Sequence, residues 1–217
     1  MRQTRRHLGT PRAAGIAGTV FAILMAAAIV LMRLALPGGA DGADIAVNAG
    51  QRHTVRTALE LLPYAGIAFL WFMGALREQA GAGEDRFVST VFLGSGLVFV
   101  ATLFASAAAA GALLAEGQAH SAFGRQFAYA MLTTYTMRMA AVFVFTASTI
   151  GHRLGVFPRP LVVLSFLAGL TLLVVGATLP WSELVFPAWA LIVSLHILRG
   201  RRPDGARPAG SQPAAPA

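Results

Sequence analysis

The chain predicts an all-α fold: a polytopic membrane bundle of six transmembrane helices with both termini cytoplasmic (N-in/C-in). Three observations carry that expectation. Its 217 residues are 56% hydrophobic and only 12% charged, too apolar for a soluble domain of that size. The apolar residues fall into six separate runs, most near the ~20 residues a helix needs to cross a ~30 Å hydrocarbon core. The arginines are shared very unequally between alternate loops.

A basic segment, residues 1–12, carries Arg2, Arg5, Arg6 and Arg12 and precedes a first span over about 13–32. That run exceeds the 7–15-residue core of a signal peptide, and Ala40-Asp41-Gly42-Ala43 is a poor cleavage context, so an uncleaved anchor is expected. Thr4-Arg5-Arg6 continues as His7-Leu8-Gly9, which makes a weak match to a twin-arginine signal. Gly, Ala, Asp and Asn from Pro37 to Gly50 read as a solvated loop. Helix resumes near Gln51, with Arg52, Arg56 and Glu60 recurring on one face. The second span, about 57–76, contains Pro63, which removes a backbone bond and predicts a kink.

After the mixed-charge turn Arg77–Arg86 comes a third span, about 87–114, with small residues from Ala105 to Gly111. Ser106/Ala110 and Ala107/Gly111 predict close helix packing, because in lipid packing replaces the hydrophobic effect as the cause of association. Residues 115–126 read as a loop before a fourth span over about 127–150. A tight turn, His152–Pro160, leads to a fifth span over about 161–179 with Ser165/Gly169 as another packing pair. It ends at Pro180-Trp181-Ser182-Glu183, where an aromatic and a carboxylate suit the interface. A short sixth span, about 184–198, is interrupted by Pro187, and residues 199–217 form a polar cytoplasmic tail expected to be disordered. The six spans make one transmembrane domain, residues 13–198.

With the amino terminus inside, twelve arginines flank cytoplasmic ends (2, 5, 6, 12, 77, 86, 153, 159, 199, 201, 202, 207) and four lie outside (33, 52, 56, 125). That ratio sets the orientation and places the chain in the cell membrane. All 17 basic residues are arginine, as a GC-rich genome favours, and they flank spans instead of forming a stripe with aromatics, so no nucleic-acid partner is expected. The absence of Cys excludes disulfides and thiol chemistry.

The remaining arginine, Arg138, falls near the middle of the fourth span. A central Arg costs roughly 2.5–3.5 kcal/mol on an insertion scale while each Leu, Ile, Phe or Val returns about 0.3–0.6. Shelter by neighbouring helices is therefore expected. Thr134 and Tyr135 share its helix face one turn outward, and Glu60 is the acidic residue that the sequence places deepest. Taking the span to start at Phe127 puts Arg138 roughly 16 Å below the outer boundary and Glu60 about 4–5 Å below it. Arg138, Thr134, Tyr135 and Glu60 thus form a candidate ligand-binding set, an outward-open polar pocket for an anionic or polar ligand. Otherwise Arg138 is a structural cation satisfied by hydroxyls, carbonyls and one carboxylate.

No catalytic constellation appears. His53, His120, His152 and His196 form no metal-ligand spacing, Gly94-Ser95-Gly96 is no nucleophile elbow, and Asp41-Gly42-Ala43-Asp44 lacks the further acids of a calcium loop. No metal or cofactor is expected. Arg138-Met139-Ala140-Ala141-Val142-Phe143, Ser148-Thr149-Ile150-Gly151, Pro158-Arg159 and Trp181 through Trp189 resemble a family of uncharacterised actinobacterial integral membrane proteins. The resemblance implies a multi-pass protein and no activity. The sequence therefore predicts a non-enzymatic structural or interaction component of the membrane, its partners the lipid bilayer and other membrane proteins met through small-residue faces. The alternative is a small transporter or ligand-binding protein with its pocket at Arg138.

Overall fold

The structure, a computed structural model, describes residues 10–35, 49–80, 86–115, 122–175 and 181–199. Among them there is no strand. The helices are α1 (Thr10–Ala35), α2 (Ala49–Ala80), α3 (Arg86–Ala115), α4 (Ala122–Ala130), α5 (Met137–Arg153), α6 (Arg159–Leu170) and α7 (Val185–Arg199). Five helical segments are long and apolar enough to cross a membrane, and Arg159–Val175 is a shorter apolar one. Helices suit such sequences because every backbone N–H and C=O is satisfied within the segment, without water.

Three elements differ from expectation. The presumed loop 115–126 gives way to helix from Ala122, where Phe123 and Phe127 stack one turn apart with ring centroids 6.3 Å apart. Such i, i+4 pairs support a helix whose polar residues hide it from a hydropathy reading. Between α4 and α5, Met131–Thr136 forms a π-helical turn, and a second occupies Thr171–Val175 after α6. In the first, the Thr136 hydroxyl donates to the Met131 carbonyl (2.9 Å) and the Thr133 hydroxyl to that of Tyr129 (2.9 Å). Hydroxyls that compete for carbonyls in this way loosen the ordinary ladder. Pro187 does not interrupt the last helix. It falls in the first turn of α7, where the missing N–H has no intrahelical partner to lose.

Pro63 lies within unbroken helix on the exposed side of α2. The turn after α5 is a Schellman motif: Gly155, at φ +68°, donates to the His152 carbonyl, and Val156 donates to that of Gly151. Glycine takes that left-handed conformation without the Cβ clash other residues suffer.

α1 packs most extensively on α2 and α7. Close approach to α7 depends on Gly15 and Gly18: a Cβ at Gly18 would lie 2.1 Å from Ser194 Oγ and 2.6 Å from a Phe72 ring carbon. The small block of α3 packs closely only in part. Ser106 is buried and Ala107 packs against the core, but Ala110 and Gly111 are half-buried, and a Cβ on Gly111 would meet only Leu59, at 4.0 Å. Ser165 and Gly169 do pack closely, with Gly169 against the Phe145 ring.

The centre is aromatic. Phe21, Phe69, Phe99, Phe143 and Phe186 come from five helices, each fully buried. Phe69 lies 4.8 Å from both Phe99 and Phe143, and Phe99 lies 4.9 Å from Phe186. Such ring pairs contribute about 0.5–1.5 kcal/mol each beyond their area.

Contacts at the two ends order the helices. Gly15 of α1 abuts Leu198 of α7, His196 of α7 lies 3.2 Å through Nε2 from the Val156 carbonyl, and Arg77 shares a small apolar groove with Gly151 and Phe157. Arg12, Arg77, Arg153, Arg159 and Arg199 therefore gather at one end. Arg33, at the far end of α1, bonds Glu183 just before α7. The segment from Arg159 onward thus leads from the arginine-rich end to the opposite one.

Candidate functional site

The four residues expected to form one pocket do not meet. Glu60 is exposed on α2 and pairs with Arg56, Oε1 to Nε 3.2 Å, with side chains 66% and 79% exposed. It is a surface ladder pair of the kind that contributes a few tenths of a kcal/mol. The pocket's acidic member is therefore missing.

Arg138 is exposed, not sheltered. Met137, Ala140, Ala141 and Val144 are fully buried. This stripe turns α5 so that Arg138 faces outward, and among the described residues its guanidinium has no hydrogen-bond or ion-pair partner. Tyr135 is 52% exposed beside it, and Thr134 is half-buried. Neither hydroxyl has a partner among the described residues. Three groups able to donate thus lie in and just after the π-helical turn, with no carboxylate among them.

The buried charge lies elsewhere. Arg33 Nη2 donates to Glu183 Oε1 at 2.7 Å; the side chains are 21% and 4% exposed. Glu183 sits in the 3-10 turn Ser182–Leu184, entered through Trp181 at φ +70°. A left-handed tryptophan costs roughly 1–2 kcal/mol. The turn closes when the Leu184 N–H donates to the Trp181 carbonyl, at 3.0 Å. Among the described residues, Glu183 Oε2 is buried without a partner.

A second polar tie lies elsewhere in the bundle: Trp189 Nε1 donates to Ser165 Oγ (2.8 Å), which donates to the Leu161 carbonyl (2.8 Å). It fastens α7 to α6. Sequence reasoning placed Glu183 at a wet interface and Arg33 among loop arginines. The signal that could have found the pair is that both stand at outer ends of spans in the N-in arrangement.

Of the histidines, His53 and His152 are exposed, and among the described residues no group of three metal-ligating side chains occurs. His120 and the Asp41–Asp44 stretch lie outside the described residues, as does most of the tail. No family model matches the chain, and neither does any curated protein or solved structure. Roles are therefore assigned from this chain's own residues.

Proposed function

We propose that the chain is a six-pass protein of the cytoplasmic membrane, N-in/C-in, acting as a non-enzymatic interaction component whose contact is the outward face of α5 around Arg138. The carrying observation is an exposed arginine, with no partner among the described residues, in an apolar segment long enough to cross a membrane. A cation in that setting is costly unless something outside the chain receives it. Six passes are supported by the course of the chain from Arg159, which leaves the end occupied by Arg77 and Arg199 and returns at Glu183 beside Arg33. The gathering of arginines at one end supports the cytoplasmic assignment.

A photo-crosslinker tests the contact. Tyr135→p-benzoylphenylalanine should form discrete adducts in native membranes, whereas the same group at Val163 or Leu167, exposed on α6, should give only diffuse background. Equal, diffuse labelling from all three positions would remove α5 as a contact face.

A further inference from the structure

The geometry points to the Arg138 face as a site for the phosphate of a phospholipid in the outer leaflet, held by the Arg138 guanidinium with the Thr134 and Tyr135 hydroxyls. It rests on the reading of α5 as a contact face and names the occupant.

Depth is the first argument. Arg12 and Arg33 in α1 are 21 positions apart, as are Arg56 and Arg77 in α2. At 1.5 Å per residue this is about 31 Å, the thickness of a hydrocarbon core. The same count back from Arg153, at the arginine-rich end, reaches Leu132. Arg138 then lies about 9 Å inside the outer boundary, not at mid-membrane. Side chains on a helix lean toward its N-terminus, here outward, so the guanidinium rises toward the phosphates. Tyr135, half a turn to one turn above, falls where tyrosines meet headgroups.

Uncommitted donors are the second argument. Every other helical threonine with a described side chain returns its hydroxyl to a carbonyl of its own helix, as Thr133, Thr136, Thr146 and Thr149 do. Thr134 does not. Two uncommitted hydroxyls and a planar fork, with no carboxylate among them, fit an oxoanion with several free oxygens.

Shape separates lipid from a partner helix. Partner helices in lipid approach through small residues. Around Arg138 the face carries Met131, Tyr135, Met139 and Val142, none of them buried, which suits acyl chains better than a second backbone.

The test is native mass spectrometry of the full chain released from nanodiscs holding equal phosphatidylglycerol and a phosphate-free glycosyl diacylglycerol. The wild type should retain phosphatidylglycerol preferentially. Arg138→Met should cut that preference about tenfold, the effect of losing a charge-assisted hydrogen bond. The double variant Thr134→Val/Tyr135→Phe, which keeps the charge, should reduce it by a smaller factor, and Arg56→Met should leave it unchanged. Unchanged retention in both Arg138→Met and the double variant overturns the site. Displacement of the lipid by millimolar inorganic phosphate overturns a lipid as its source. Crosslinks from Tyr135→p-benzoylphenylalanine that end on a protein would spare the contact reading but overturn the lipid.

Discussion

Arg33 and Arg138 both sit in apolar helices and meet opposite fates. Arg33 reaches a carboxylate buried to 4% exposure, and Arg138 reaches nothing in the described chain. Removing Arg33 leaves the buried Glu183 side chain without its ion-pair partner, a change that typically costs 3–5 kcal/mol. Arg33→Met should therefore lower the thermal unfolding midpoint in detergent sharply, and adding Glu183→Gln should recover much of the loss. Arg138→Met should stay within about 0.5 kcal/mol of the wild type, as for exposed positions without a structural partner. The reverse ranking in the same unfolding assay would sink this division of roles. Sequence reasoning identified Arg138 as exceptional but turned it inward, because a depth count says nothing about helix rotation. The stripe Met137, Ala140, Ala141, Val144 and Ser148, at 3–4-residue spacing, carried that information. The Arg33–Glu183 bond joins residues 150 positions apart, a separation across which no local pattern reaches.

Among elements, the small residues that matter are not the most conspicuous ones. The block from Ala105 to Gly111 looks like a packing seam, yet Gly111 has room for a Cβ, while isolated Gly18 has none. Gly18→Val should lower stability by about 1–3 kcal/mol, the usual consequence of forcing volume into a packed contact. Gly111→Ala should be neutral or slightly stabilising, since helix propensity improves with no clash. Comparing their melting temperatures checks both; equal losses would mean that α1 and α7 do not depend on this approach. Five runs were legible as long apolar helices because the helical backbone requirement in lipid leaves few alternatives. The π-helical turn at Met131–Thr136 was not, since threonine hydroxyls bond helix carbonyls in ordinary helix as well, as Thr146 and Thr149 do, and so carry no signal for it.

At the scale of the molecule, two polar ties and an aromatic centre fix the order of the helices. Arg33 to Glu183 fastens α1 to the corner before α7, Trp189 to Ser165 fastens α7 to α6, and the phenylalanine rings fill the space between. The site proposed on α5 depends on that order together with the proposed topology, in which six passes with the arginine-rich end inside would carry Arg138 to the outer leaflet. The chain contains no cysteine, so single cysteines report sidedness without background. The most direct measurement is labelling of His53→Cys, Trp181→Cys and His152→Cys, all at exposed positions, with an impermeant maleimide on right-side-out vesicles. The first two should react at once and the third only after permeabilisation. Protection of Trp181→Cys together with His152→Cys would mean that the segment from Arg159 does not cross, and the outer-leaflet placement of Arg138 would lose its basis.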